Sequence, residues 1–206
     1  TDIDNDNSLD IVAIGGTTFK VYYNDGMANF TSQTITGPIE DFFDITVDDI
    51  DGDGFQDVIT GGSNLSIYKN TNGILSYDSI RSSHLGIITS GTFSLFVRLA
   101  DLDNDGDLDL FREGDNSTGV LWMENDSNGN FTISHIIDSN VSNIRSGTIN
   151  DFDNDNDLDF IIIKDYNLYL YTNDGMGNFN SPILIQDAPT TISVVHSDDL
   201  NNNGWV

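Results

Sequence analysis

The 206-residue chain contains no cysteine, so neither a disulfide nor a thiolate can hold it together or act in it. Histidine is nearly absent as well. His84, His135 and His196 fall at unrelated places, with no Ser or Cys nucleophile beside them in a recognisable pattern. Lys and Arg together number seven, scattered along the chain, against 34 acidic residues and a formal net charge of −27. Phosphate contacts need clustered bases, so nucleic acid is excluded as a natural partner and an anionic membrane surface is disfavoured. No apolar run approaches the ~20 residues of a membrane-spanning helix, and no signal peptide stands at the start. Glutamate is the last shortage: only Glu40, Glu113 and Glu124 occur, and every other acid is aspartate. A short carboxylate suits a tight loop.

The aspartates fall into one motif, Asp-x-Asp-x-Asp-(Gly/Asn)-x-x-Asp, written four times. The copies are Asp2, Asp4, Asp6 and Asp10; Asp49, Asp51, Asp53 and Asp57; Asp101, Asp103, Asp105 and Asp109; and Asp151, Asp153, Asp155 and Asp159. Their starts lie 47, 52 and 50 residues apart. A partial fifth copy carries Asp199, Asn201 and Asn203, with Asn in place of two carboxylates. Alternate carboxylates in a tight loop present hard oxygens to one centre. Calcium accepts six to eight such oxygens at about 2.3–2.6 Å in a forgiving geometry, whereas magnesium demands a near-ideal octahedron. Zinc would ask for Cys or His near the loops, and there is none. The sixth position is Asn7, Gly54, Gly106 or Asn156, residue types that tolerate the left-handed backbone of a sharp loop.

An EF-hand shares the first half of this pattern but closes with a bidentate Glu at position twelve, between two helices. Position twelve here is Ala13, Thr60, Arg112 and Ile162. The ligand set must close instead with the Asp at position nine, helped by the backbone carbonyl of position seven: Ser8, Phe55, Asp107 and Asp157. Short β-rich runs follow the loops, such as Ile11–Ile14 and Phe160–Ile163. A turn and a second run come next, as in Phe19–Tyr23, Leu65–Tyr68, Val120–Met123 and Leu168–Tyr171. Hairpin signals beginning at Asn24, Asn70, Asn125 and Asn173 come next, then a third strand from Phe30, Phe131 or Phe179. A fourth strand leads into the next loop, as in Phe43–Val47, Phe93–Leu99 and Ile192–Val195. No helical periodicity shows anywhere. Four short strands per ~50 residues predict an all-β fold: a β-propeller of four-stranded antiparallel blades with Asp-rich calcium loops. The repeats run over about 2–48, 49–100, 101–150 and 151–198, with a truncated loop at 199–206. Beginning and stopping inside acidic loops, the chain reads as a single segment of four blade equivalents. That ring closes on itself, belongs to a larger one, or is completed by a second copy.

The loops, the period and the hairpin Asn173-Asp174-Gly175-Met176-Gly177-Asn178-Phe179 resemble the FG-GAP/VCBS repeat family, the calcium-loop propeller also found in integrin α chains. Trp122 to Phe131 is similar to the version in secreted bacterial proteins. The resemblance covers the whole chain. It implies that positions one, three, five and nine hold calcium in about four sites, the fifth loop departing from the pattern. It implies a secreted or cell-surface module for adhesion to a glycan or protein. Polysaccharide lyases of similar fold imply a second function, for which Arg98, Arg112 and Arg145 are the available bases. A structural spacer in a large adhesin is the third. Trp122, which could stack on a sugar, aligns with Val21, Ile67 and Leu170 and is expected in the core. No catalytic constellation stands out.

Overall fold

A computed structural model describes residues 1–38, 41–85, 96–114, 119–141, 144–186 and 194–198. The first sheet contains β1 (Ile11–Gly15), β2 (Thr18–Asn24) and β3 (Phe30–Thr34). The second contains β4 (Phe42–Asp48), β5 (Asp57–Gly62), β6 (Ser66–Thr71) and β7 (Ile74–Tyr77), followed by the short helix α1 (Ser79–His84). The third contains β8 (Val97–Ala100), β9 (Asp109–Glu113), β10 (Val120–Asn125) and β11 (Phe131–Asp138). The fourth contains β12 (Ile144–Asn150), β13 (Asp159–Lys164), β14 (Asn167–Tyr171) and β15 (Ile183–Gln186). Every sheet is antiparallel, with its strands in chain order. Neighbouring sheets meet through β1 with β4, and through β4 and β5 with β8. This is a β-propeller, and the sheets are its blades.

The strands form because their apolar residues serve two neighbours. In a strand successive side chains point to opposite faces. Ile67 on β6 enters the core shared with the third blade, while Tyr68 enters the core shared with the first. On β10, Met123 faces the second blade and Trp122 the fourth. The strands β5, β9, β10 and β13 are buried on both sides along most of their length. The outer strand β3 is exposed throughout. Position two is also an anchor in the first three loops: Ile3, Ile50 and Leu102 are buried in the cores between successive blades. Each fully buried side chain of this size contributes about 1.5–3 kcal/mol, so the blade interfaces supply most of the cohesion.

Four expectations are corrected in detail. The helix α1 stands where the sequence shows no helical period: Asp78 caps it by accepting the Ile80 and Arg81 N–H groups, and six residues are too few to display one. The first blade has three described strands, not four. In the fourth blade Phe179 makes only an isolated bridge to Asn173, and the third strand after the loop starts at Ile183. Pro182 has no N–H to donate to the ladder. Val194 and Val195 form no strand; side-chain hydroxyls tie this stretch to β12 instead, through Ser146 to Val195 and Thr148 to Ser197. Residues 192–193 lie outside the described residues, as does the partial fifth loop from Asp199 through Asn201 and Asn203.

Candidate metal centres

In the first sheet the acidic loop leads directly into β1; in the second, third and fourth blades it is the turn between the first and second strands. Ladder pairs close it at Asp48–Asp57, Ala100–Asp109 and Asn150–Asp159. Positions four and six are both left-handed: Asn5 and Asn7, Gly52 and Gly54, Asn104 and Gly106, Asn154 and Asn156. These two reversals coil the backbone so that its N–H groups point inward. The carboxylate at position one then accepts N–H bonds from positions five and six, at 3.2 and 2.9 Å for Asp2 and 3.1 and 2.8 Å for Asp49. Asp101 and Asp151 do the same. Position five accepts the N–H of position seven in all four loops.

Carboxylate oxygens converge as a result. Asp2, Asp4 and Asp6; Asp49, Asp51 and Asp53; Asp101, Asp103 and Asp109; and Asp151, Asp153 and Asp159 each form a trio whose oxygens lie within 4.8 Å of one another. Positions one and three belong to every trio, joined by position five in the first two loops and by position nine in the last two. Asp10, Asp57, Asp105 and Asp155 stand outside these trios. At position seven, the Asp107 carboxylate is engaged by the Ser127 hydroxyl and that of Asp157 by the Asn104 amide, at 2.8 Å for the latter.

Position nine has a second task that its spacing did not reveal. Asp109 accepts the Leu102 N–H at 3.0 Å and the Asn125 N–H at 3.0 Å, so it joins its own loop to the hairpin after β10. Asp10 and Asp159 repeat the arrangement with Ile3 and Asn24, and with Phe152 and Asn173. The hairpin asparagine continues the chain of bonds. The Asn173 amide donates to Leu102 O in the preceding loop at 2.7 Å and to Leu158 O in its own at 3.2 Å. Asn125 links Ile50 O to Leu108 O, and Asn70 links Ile3 O to Gln56 O. These asparagines read in the sequence only as turn formers. Their recurrence at the same point of all four repeats was the available signal.

Crowding shows in the electrostatics. The position-three carboxyls Asp4, Asp103 and Asp153 are pushed above the usual range, first by loss of water and then by the charges of neighbouring loop aspartates. Burial raises Asp109 to about 7 and Asp159 in the same direction. A set of close, mutually repelling oxygens with raised proton affinity is the donor chemistry that a hard cation relieves. Loops 2–10, 101–109 and 151–159 fit calcium in this sense.

The loop 49–57 differs. Its centre is filled by the Lys69 ammonium, 2.6 Å from Asp51, 2.7 Å from Asp53 and 3.4 Å from Asp57. Asp53 also loses water, yet the hydrogen bond from Lys69 brings its carboxyl below the usual range. Burial raises Asp57 to about 6. Lys69 precedes Asn70, and the residues at the corresponding place in the other blades are Tyr23, Glu124 and Thr172. Arg81, on α1, adds a second cation at 3.3 Å from Asp51 and donates to Asn128 O in the third blade at 2.7 Å. Sequence reading missed both bases, which meet the acidic loop from 12 to 30 positions away.

Trp122 is buried, as its alignment implied. Its indole N–H donates to Gly177 O at 3.1 Å and its ring stacks on His135. Arg98 pairs with Asp44 at 2.7 Å, Arg145 lies over the Tyr166 ring, and Arg112 is buried. No helix among the described residues is long and apolar enough to cross a membrane.

A comparison with curated proteins finds no match. Among solved structures, one reported for specific recognition of non-reducing terminal N-acetylglucosamine by an Agrocybe aegerita lectin is similar in fold. Its TM-score is 0.59 at 21% identity, over 89% of this chain and 50% of the lectin's, so the chain spans half the length of that protein. The FG-GAP-like repeat matches four times, over residues 2–60, 49–112, 101–162 and 151–206. Those spans each run from one acidic loop through the next and together cover the chain from residue 2 to its end, which makes this protein a member of the FG-GAP-like repeat family.

Proposed function

We propose that the chain is a calcium-binding propeller of a secreted or cell-surface protein, acting as an adhesion module for a glycan or protein ligand. The observation that carries this is the convergence of three carboxylates, always including positions one and three, in the acidic loop of each successive blade. Asp2, Asp4, Asp6 and Asp10 would hold the ion in the first blade, with the Ser8 carbonyl. Asp101, Asp103, Asp105 and Asp109 would do so in the third, with the Asp107 carbonyl. Asp151, Asp153, Asp155 and Asp159 are the set in the fourth, with the Asp157 carbonyl. The bound ion supplies positive charge that offsets carboxylate repulsion. The residues themselves do the rest: position nine ties the loop to the hairpin, and the hairpin asparagine ties that loop to its neighbour. Stiffening the loops stiffens the blade edges and any binding face built on them.

Oxygen sites in extracellular modules often bind calcium at about 10⁻⁴–10⁻³ M, a range filled outside cells and empty in cytosol. The resemblance in fold to a lectin supports a glycan as ligand. The net charge of −27 sets phosphate-rich partners aside. Further blades, or a second copy, would complete the ring beyond the first and fourth blades. The test is retention on immobilised glycans and cell-surface proteins, in millimolar calcium and again with chelator. Saturable retention that chelator abolishes is expected. No retention by the folded, calcium-loaded chain would sink the adhesion reading in favour of a spacer.

A further inference from the structure

The four acidic loops share a backbone and a carboxylate pattern, but one residue outside the motif divides them. The place before the hairpin asparagine faces the loop of its own blade: Tyr23 lines a concavity with Asp4 and Asp6, and Lys69 bonds directly to Asp51 and Asp53. Of the four residues at this place, Tyr23, Lys69, Glu124 and Thr172, only Lys69 is a cation. We propose that the second blade carries its own counter-ion, the Lys69 ammonium standing in the loop 49–57 where the other loops take calcium, so that this blade closes without metal.

The chemistry of the group fits the role. An ammonium offers three N–H donors and no acceptor, and it meets three carboxylates. The pairing is not the loose surface kind that contributes little. Lys69 is 14% exposed, Asp51 11% and Asp57 not at all. Arg81 holds the remaining Asp51 oxygen, and also Asp78 at 3.1 Å, so the lysine is not the only base nearby. A calcium ion entering this loop would have to displace the ammonium from two short contacts and would then sit close to two positive charges. The loop therefore does not fit the ion, although its sequence motif is complete. Arg81 extends the consequence to the interface. Where Asn104 reaches across to Gly175 O in the fourth blade, Gly52 has no side chain to do so, and Arg81 reaches Asn128 O instead. One bond across the junction of the second and third blades is thus made by a protein cation, beside that from Asn125 to Ile50 O, and calcium withdrawal should leave the junction closed while the flanking loops loosen.

The inference rests on the calcium reading of the other loops, and amide hydrogen exchange separates the two. The full chain is compared in millimolar calcium and in chelator, with bound calcium counted by equilibrium dialysis. Loops 2–10, 101–109 and 151–159 are expected to gain protection with calcium, while 49–57 is equally protected in both. Lys69→Thr, which installs the residue of the fourth blade, should bind one additional calcium per chain. In chelator, protection of its second loop should fall by about tenfold or more, the effect of losing a charge-assisted hydrogen bond. Thr172→Lys is the converse and should remove one calcium, which keeps the test open if the first variant folds poorly. Calcium protection of 49–57 equal to that of the other loops, or unchanged stoichiometry in both variants, overturns the proposal and leaves the calcium reading standing. Protection by calcium at no loop overturns both.

Discussion

Asp109 stands in the trio with Asp101 and Asp103 while its oxygens also take the N–H groups of Leu102 and Asn125. Burial, and after it the charges of Asp103 and Asp105, push its carboxyl from 3.8 to about 7. The folded chain without metal therefore binds this proton more tightly than the unfolded one. The stability so gained is fully present below pH 3.8 and is lost as pH rises through about 7. Asp57 acts in the same direction over a window ending at about 6. Asp25, Asp126 and Asp174 act oppositely. Hydrogen bonds from Asn29 and Met176, and from Asn130 against the burial of Asp126, hold these carboxyls low. Their contribution is present above 3.8 and lost in more acid solution. Thermal unfolding in chelator should thus show a midpoint that falls between about pH 5 and 7.5; in saturating calcium the part due to Asp109 should vanish, because the metal replaces the proton, while the part due to Asp57, ending at about 6, should remain. Parallel curves with and without calcium would remove Asp109 as a ligand. The loop aspartates were legible from spacing alone. Lys69 was not, because the carboxylates it meets lie 12 to 18 positions away, on the far side of a strand pair.

Hairpins lock the blades together. Asn173 satisfies two carbonyls, Leu102 O and Leu158 O, one of them fully within the interface. Asn173→Ala leaves both without a partner and should cost about 2–4 kcal/mol in urea unfolding with calcium present. Asn24, whose amide donates only to the exposed Leu9 O at 3.2 Å, should cost under about 1 kcal/mol on the same change. Equal losses at the two sites would contradict the pegging role. In the same hairpin as Asn173, Gly177 has φ +71°, and a Cβ there would lie 2.2 Å from the Trp122 ring. Gly177→Ala is expected to destabilise by about 2 kcal/mol or more; an unchanged unfolding midpoint would show that the ring can yield. The strands and hairpins of the blades were readable because β-branched runs and Asn-Gly turns act locally. The six-residue helix was not, and its one advance signal was Asp78 as a cap.

Three apolar cores, each shared by two successive blades, hold the described molecule together against a net charge of −27. Raising salt from 0.15 M to 1 M shortens the screening length from about 8 Å to about 3 Å. In chelator the unfolding midpoint should therefore rise with sodium chloride, and in calcium it should rise less, because bound ions have already relieved the most crowded carboxylates. An equal rise in both would place the repulsion elsewhere on the surface. The sequence by itself determined the period, the place of the acidic loops and the all-β propeller, because each is written in residues within one blade. Tertiary structure decided which bases meet the second loop and how blades are joined. Asn173 meets Leu102 across 71 positions and Arg81 meets Asn128 across 47. Contacts of that reach leave no local pattern, since they exist only once the apolar faces of two blades have been buried against each other.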